Sequence, residues 1–394
     1  MKLVGIDVGK NSHHFCVMDK ETGEFNVTPS SFPNNKEGFD FLINSLKPYS
    51  KKSILTGMED TGHYHVALLK FLLSNGYTVA LITPKTTDLT RKMEGGITKN
   101  DKLDTITICD VLDTPERKKQ YRITKVDRFD LYEQRQLTRH HHNLKEELNV
   151  YCNRLQKSID LVFPEFNTLF SSKYSIVYMN LLKTFGSAEA IASTDIRTIR
   201  KCFEIKGRGN RISLTPEKLK ECAKNSIGIS SEVETIQIKH LVSQITLIKE
   251  QIAEIDKKIE EFSITNNSPI LSIPGISHFS GTSILAELGD IGNYSKPSQI
   301  IKFAGVAPYH YESSQYNAQH TGITKKGSKY LRKTLYQIIL TVINNNPVFK
   351  KYYLLKISQG KGHRCAQGHC IRKLLRIIYH LLETGQSFDP ALLR

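Results

Sequence analysis

Residues 2–28, KLVGIDVGKNSHHFCVMDKETGEFNVT, decide how this chain begins to fold. The mainly apolar run at 2–7 predicts a short strand, and 14–19 and 25–28 predict two more. The intervening Lys20-Glu21-Thr22-Gly23 has the composition of a turn, because glycine tolerates positive φ. Three short strands in succession therefore open the chain as part of a sheet.

The pattern continues to residue 112 as an alternation of strands and helices. Helical spacing occurs at 37–46, 64–74 and 102–112, and strand-like runs occur at 53–58 and at 77–82, where Pro84 ends the run. The order β-β-β-α-β-α-β-α predicts a mixed sheet covered by helices.

The middle of the chain is predicted to be helical, with apolar residues at seven-residue spacing. One seam holds Ile238, Ile245, Ile252 and Ile259, and a second holds Leu241, Ile248, Ile255 and Phe262. Such heptads are typical of a coiled coil. Two interpretations stay open, a helical hairpin within one chain and coiling between chains. The earlier run His140-His141-His142 is interpreted as a solvated or RNA-facing surface.

The composition points to a polyanionic partner. Lys and Arg number 55 against 39 Asp and Glu, a net charge of +16, which favours nucleic acid or an anionic membrane surface. No run of about 20 apolar residues is present, so a cytoplasmic location is expected. The seven cysteines form no CxxC pair, which predicts buried free thiols.

The basic residues concentrate near the C-terminus. Residues 313–382 contain thirteen Lys and Arg and no Asp or Glu. A solvated surface usually mixes both signs of charge. This region is therefore predicted to lie along phosphates of a nucleic acid.

Four carboxylates fall at the ends of predicted elements. Asp7 lies in VGIDVG, Glu59 in GMEDTG, and Asp101 and Asp104 in KNDKLD, where their spacing puts both on one helical face. Together they could hold one or two Mg²⁺ ions, which activate and stabilise the oxygens of a phosphodiester. Two other interpretations are helix-capping acids and the first phosphate loop of an actin-like ATPase. The ATPase needs a second glycine-rich phosphate loop, and none is found.

The order GIDVGK, GMEDTGHY, KNDKLD resembles the RuvC-like domain of DEDD transposases of the insertion-sequence-110 family, relatives of the Piv invertase. SIPGISHFSGTSILAELGDI and KFAGVAPYHYESSQYNAQHTGITKKGSKYLRKTLYQ resemble their C-terminal transposase domain. The resemblance spans nearly the whole chain. It implies an α/β plus α protein with three parts: an RNase H-like (RuvC-like) domain at 1–118, a coiled-coil helical region at 119–265 and a basic, mostly helical transposase domain at 266–394.

The resemblance also implies site residues and partners. The acidic tetrad falls on Asp7, Glu59, Asp101 and Asp104. The nucleophilic serine falls on Ser313, although Ser314 stands where the family often has glycine and leaves the choice between the two serines open. The phosphate-gripping residues are Lys325, Lys326, Lys329, Arg332 and Lys333. Family members act with Mg²⁺ on donor and target DNA, are directed by a guide RNA, and assemble as dimers or tetramers, for which the 238–262 heptads offer a route.

The predicted reaction is DNA strand exchange through a covalent phosphoserine, without ATP. Three rival functions stay open. A RuvC-type nuclease or resolvase would attack with water, so that Ser313 would be dispensable. A non-catalytic nucleic-acid-binding protein would need no acids, and an actin-like ATPase would bind ATP.

Overall fold

The computed structural model describes residues 1–93, 100–113, 123–126, 129–204, 213–309, 312–313, 316–317 and 322–392. Its contacts divide the chain into two compact units. One is formed by Met1–Arg135 with Ile284–Arg394, and the other by Gln136–Ser283. The three-part division with boundaries at 118 and 265 remains a prediction.

A six-stranded sheet organises the N-terminal part of the first unit. Its strands are β1 (Lys2–Val8), β2 (Ser12–Asp19), β3 (Phe25–Pro33), β4 (Ile54–Glu59), β5 (Val79–Ile82) and β6 (Ile123–Val126). They lie in the order β3-β2-β1-β4-β5-β6. The first three strands pair antiparallel, whereas β4 runs parallel to β1 and β5 runs parallel to β4. The predicted mixed sheet is confirmed.

Helices cover both faces of this sheet. They are α1 (Lys36–Leu46), α2 (His65–Ser74), α3 (Pro84–Met93) and α4 (Asp101–Asp113). Leu42 of α1 and Leu68 of α2 share a buried core with Val4 and Ile6 of β1. On the other face, α4 forms a second core in which its apolar residues meet Leu3. Because side chains alternate along a strand, odd-numbered residues of β1 face α4.

Two elements of this region were not predicted. Pro84 was expected only to end a strand, but it is the first residue of α3, where a missing N–H costs nothing. Strand β6 pairs antiparallel with β5, so the sheet extends past residue 118. Its four residues are too few for a clear alternation pattern in sequence.

The second unit is helical. Its elements include α5 (Phe129–Val162, which begins before the unit boundary), α6 (Ile176–Thr184), α7 (Ala188–Ser193), α8 (Ile196–Lys201), α9 (Pro216–Lys224) and α10 (Glu232–Asn266). Helix α10 starts at an N-cap, Ser231, whose side chain accepts from the Glu234 N–H, and ends at Asn267 in the left-handed conformation.

The heptad seam of α10 is buried within one chain. Ile248, Ile252, Ile255 and Ile259 form one apolar cluster with Leu144 of α5. Nearer the start of α10, Ile238 and Ile245 join a larger core. Of the two interpretations left open, packing within the chain accounts for these residues. An oligomer would therefore have to use other surfaces, because this seam is already covered.

The prediction for the histidine run was wrong at two of its three positions. His141 and His142 are 6% and 2% exposed. The His141 ring lies 4.1 Å from that of Phe279, and its Nε2 is 3.1 Å from an Asp256 carboxylate oxygen. Phe279 lies far along the chain, so the sequence near residue 141 held no sign of this burial. His140 alone is exposed.

The C-terminal part of the first unit contains α11 (His278–Leu288, which begins before the unit boundary), α12 (Pro297–Phe303), β7 (Glu312–Ser313), β8 (Tyr316–Asn317), α13 (Lys329–Asn345), α14 (Pro347–Ser358) and α15 (His363–Thr384). Helices α13, α14 and α15 contact one another. The seven cysteines are all free. Four are buried, as predicted for free thiols, but Cys365 is exposed.

Candidate active site

The acidic residues of the sheet lie where neighbouring strands end. In the parallel pairing of β1 with β4, Gly5 is opposite Gly57 and Ile6 is opposite Met58. One step further, Asp7 and Glu59 follow on adjacent strands. Asp7 and Glu59 each lie two residues after one of these glycines, and side chains alternate between the two faces of a strand. Both acids therefore point towards the same face as the glycine positions, the face that α4 covers.

Two glycines let α4 lie directly on these strands. A Cβ on Gly5 would lie 2.0 Å from the backbone oxygen of Thr105, and one on Gly57 would lie 2.8 Å from Leu112 Cδ1. Only residues without a Cβ allow so close an approach of helix to sheet. This packing brings the first turn of α4, with Asp101 and Asp104, to the ends of β1 and β4.

Three side chains form a set that could hold a metal ion. One ligand atom from each of Asp7, His14 and Asp101 lies within 4.8 Å of the others. His14 is opposite Asp7 in the antiparallel β1–β2 pair, and its Nδ1 is 3.8 Å from Asp101 Oδ2. Carboxylate oxygens suit hard divalent cations, and an imidazole nitrogen suits transition metals. Within the described ranges, Glu59 and Asp104 fall outside this set.

Glu59 is held by two threonines instead. Thr61 Oγ1 donates to Glu59 Oε2 at 2.9 Å, and Thr87 Oγ1, on α3, donates to Oε1. These bonds fix both oxygens of the carboxylate in orientation while leaving further lone pairs for a cation.

Asp104 lies beside a cation. It is 8% exposed, and the Nε of Arg91, also on α3, is 3.6 Å from its Oδ1. The guanidinium thus balances the charge of a carboxylate that would otherwise be costly to bury. Helix α3 therefore contacts both acids that lie outside the three-residue set.

Sequence reasoning missed His14, Thr87 and Arg91. The last two belong to α3, which was not predicted. His14 could have been found from the short connection between β1 and β2, because antiparallel pairing places it opposite Asp7.

A neighbouring histidine supports the acidic edge from within the core. His65 is 1% exposed at the start of α2, with its Nε2 3.5 Å from Asp60 Oδ1. Burial lowers its pKa, with the Asp60 charge opposing that shift. The neutral imidazole is therefore favoured at neutral pH.

Ser313 lies in a short antiparallel hairpin. It pairs with Tyr316, and Glu312 pairs with Asn317. Nearer the body of the unit, Tyr309 N–H donates to Gly322 O at 2.8 Å and Thr324 N–H donates to Ala307 O at 3.0 Å. Ser314, the other candidate nucleophile, lies outside the described residues.

The basic residues after this hairpin differ in exposure and in their contacts. Lys325, Lys326 and Lys329 are exposed, as phosphate contact requires. Arg332 instead donates from Nη1 to Ala304 O at 3.3 Å and to Lys325 O at 3.2 Å. It therefore fastens the base of the hairpin, and any phosphate contact must come from its remaining donors. Lys333 is half-buried.

Comparisons with known proteins bear on what this arrangement does. Residues 4–164 match the IS110 DEDD domain described as "Transposase", and residues 267–354 match "Transposase IS116/IS110/IS902 family". The chain belongs to the IS110 family of transposases.

Individual relatives are similar to this transposase over different shares of its length. It is 23% identical to the pilin gene-inverting protein of Moraxella lacunata, over 98% of this chain and 97% of the relative. It is 22% identical to the transposase for insertion sequence element IS1111A of Coxiella burnetii, over 42% of this chain and 46% of the relative. The 42 kDa protein of insertion element IS900 of Mycobacterium paratuberculosis is 26% identical over 43% of each chain.

Family membership settles the broad class of activity. A transposase is a DNA recombinase, so this transposase is an enzyme that acts on DNA. Membership in a DEDD family also indicates the use of a divalent metal ion. In the part of the chain that the structure describes, no helix combines the length and apolar character needed to cross a bilayer.

Proposed function

We propose that this transposase cuts and rejoins DNA strands by transesterification, with Ser313 as the nucleophile and a divalent metal ion held by Asp7, Glu59, Asp101 and Asp104. The observation that carries the proposal is the meeting of Asp7 and Asp101, far apart in sequence, within one set of ligand atoms. A merely structural pair of acids would gain nothing from such proximity, because like charges repel.

The residues present fit a divalent ion. Asp7 and Asp101 supply oxygen ligands at the ends of rigid elements, and two threonine hydrogen bonds orient Glu59 at the end of the strand next to that of Asp7. A bound Mg²⁺ would supply Lewis-acid polarisation of the scissile phosphate. Arg91, with its Nε 3.6 Å from Asp104 Oδ1, would balance the charge of that largely buried carboxylate.

Ser313 would form the covalent link. Its Oγ would attack the phosphorus and form a P–O bond, a deoxyribose oxygen would leave as a hydroxyl, and the serine proton would pass to the departing oxygen through solvent. A hydroxyl of a second strand would then attack the phosphoserine, and the serine would regain its proton. The energy of the phosphodiester is conserved at each step, so no ATP is needed.

An RNase H-like fold is the proposed scaffold for this chemistry. It is supported by the sheet, in which three antiparallel strands precede strands parallel to the first and both strand-borne carboxylates sit at strand ends. Each acid is paired with one neighbouring strand, Asp7 with His14 of β2 and Glu59 with Ile82 of β5, which limits its movement.

We also propose that the protein binds a guide RNA together with donor and target DNA, and that it acts as a dimer or tetramer. The exposed Lys325, Lys326 and Lys329 support phosphate contact, which an RNA or a DNA backbone offers equally. The pilin gene-inverting relative is named for the inversion of a gene. We extend that kind of outcome, rejoining of cut ends, to this chain.

The decisive experiment is to trap a covalent protein–DNA adduct with the purified protein and its co-purifying RNA, and to map the modified residue. We expect the adduct on Ser313, its loss in Ser313→Ala and its retention in Ser314→Ala. An adduct retained by Ser313→Ala and lost in Ser314→Ala would move the nucleophile by one residue. Full strand cleavage by Ser313→Ala without any adduct would favour the water-using resolvase instead.

A further inference from the structure

The neighbouring residues His13 and His14 of β2 place their side chains on opposite faces of the sheet. His13 has the parity of Phe15 and Val17, lies in the core with its ring 5.2 Å from that of Phe32, and accepts from the Gly9 N–H. His14 has the opposite parity and emerges on the α4 face, opposite Asp7. Strand alternation thus places one imidazole in the core and the other at the acidic edge.

His14 is positioned as a third ligand rather than as a distant neighbour. Its side chain is 18% exposed, its Nδ1 lies 3.8 Å from Asp101 Oδ2, and one ligand atom from each of His14, Asp7 and Asp101 lies within 4.8 Å of the other two. Ligand atoms bound to one octahedral ion at about 2.1 Å lie about 3 Å apart when adjacent and about 4.2 Å apart when opposite. The three side chains would therefore have to draw together around an ion, by at most about an ångström at each residue.

We propose that His14 ligates the metal ion together with Asp7 and Asp101, and that this nitrogen ligand makes the site prefer Mn²⁺ over Mg²⁺. The proposal rests on the proposed metal site and adds a ligand outside the acidic tetrad. Imidazole binds first-row transition metals well, whereas Mg²⁺ prefers oxygen ligands and water. The donor set thus carries a selectivity that four carboxylates alone would lack.

The competing role for His14 is to orient Asp101 through the 3.8 Å contact between His14 Nδ1 and Asp101 Oδ2. Both roles would lower activity when His14 is changed, so activity cannot separate them. Direct coordination has a signature that orientation lacks, because a nitrogen bonded to Mn²⁺ shows a contact coupling through the bond that a nearby unbonded nitrogen does not show.

The test uses the full-length protein titrated with Mn²⁺ and examined by electron spin-echo envelope modulation. We expect a histidine ¹⁴N coupling in the unaltered protein and its loss in His14→Gln. We also expect Mn²⁺ affinity to fall at least about tenfold in that variant while Mg²⁺ affinity falls less. The matched control is His63→Gln, which changes an exposed histidine in the connection between β4 and α2. Thermal melting without metal checks that each variant folds.

Failure of this inference is distinguishable from failure of the proposed function. Mn²⁺ binding that needs Asp7, tested with Asp7→Asn, but shows no ¹⁴N coupling would overturn ligation by His14 and leave the metal site standing. Coupling that persists in His14→Gln would do the same. Mn²⁺ binding unchanged by Asp7→Asn would remove the metal site itself, and this proposal with it.

Discussion

The acidic edge of the sheet and the serine hairpin are built on different scaffolds within the same compact unit. Asp7 and Glu59 lie on strands with a partner on each side, beneath a helix that rests on two glycines. Ser313 lies on a strand of two residues with one described partner strand. A metal site needs fixed ligand geometry, whereas a nucleophile carried on a narrow hairpin can be presented to a substrate.

Electrostatics divides the two regions in the same way. Acids are gathered at one sheet edge, and the segment from 313 to 382 has none. The acids attract a cation, and the lysines attract phosphates. Under the proposed function, the acidic residues would hold the metal ion and the lysines would contact the nucleic acid.

The largest effect is expected from Asp7→Asn, which removes a proposed charged metal ligand from the acidic edge and leaves the serine hairpin unchanged. We expect DNA cleavage to fall about a thousandfold or more, because metal stabilisation supplies several kcal/mol in the transition state. Binding to DNA, measured by gel shift, should hardly change, since the lysines remain. Glu21→Gln, which changes an exposed acid in the turn between β2 and β3, is the control. A cleavage rate equal to that of the control would place the chemistry elsewhere.

The rigidity of the sheet can be tested with Gly5→Ala. Its Cβ would collide with a backbone oxygen at 2.0 Å, so α4 must shift. Overpacking of this kind costs about 1–3 kcal/mol in the free energy of unfolding. The matched change in the hairpin region is Gly322→Ala, where a Cβ would meet nothing within 4 Å. Urea denaturation should separate the two variants, and equal stabilities would contradict the close helix–sheet packing.

The triple change of Lys325, Lys326 and Lys329 to Gln probes the basic side. Log affinity for duplex DNA falls as log salt concentration rises. We expect this fall to become less steep, by about 0.9 in slope for each phosphate that the protein no longer neutralises. Metal binding should stay unaltered. Lys258→Gln, on α10 in the other unit, serves as the control. A slope unchanged by the triple change would show that these lysines do not meet the backbone.

The contribution of α3 is tested by Thr87→Val, which removes a hydrogen bond to Glu59. A single such bond to a charged group is worth about 1.5–3 kcal/mol, so cleavage should slow by roughly tenfold or more while binding persists. Thr265→Val, a similar change on α10, should have no effect on cleavage. Equal rates in both variants would mean that Glu59 needs no orientation.

The smallest effect is expected at the far end of β1. A hydrogen bond from Lys2 lowers the pKa of Asp19 to about 2. Because this folded-state pKa is below the unfolded one, the stabilisation is present above about pH 4 and is lost as the pH falls towards 2. The melting temperatures of the unaltered protein and Lys2→Gln should differ slightly at neutral pH and converge near pH 2. A difference in melting temperature that stays constant with pH would show that ionised Asp19 does not contribute to the effect of Lys2.

Much of the fold followed from local patterns. The alternation of strands and helices to residue 112 was readable because each element carried its own apolar periodicity. Helix α3 was missed because Pro84 is compatible with both a strand end and a helix start. Strand β6 was missed because four residues carry too little pattern.

The candidate site was only partly predictable, for a different reason. Asp7, Glu59, Asp101 and Asp104 could be proposed because they follow recognisable elements. Thr87 and Arg91 contact two of these acids from an element that the sequence did not disclose. The burial of His141 depends on Phe279, which no neighbouring residue signals.

By itself the sequence determined the charge division and most of the strands and helices up to residue 112, since these are properties of composition and local spacing. Only the tertiary structure decided that α5 of the same chain covers the α10 seam and that His14 meets Asp101. Heptad spacing marks an apolar face but does not say what covers it. Strand register and the placement of α4 bring His14 and Asp101 together, and both depend on contacts between residues distant in sequence.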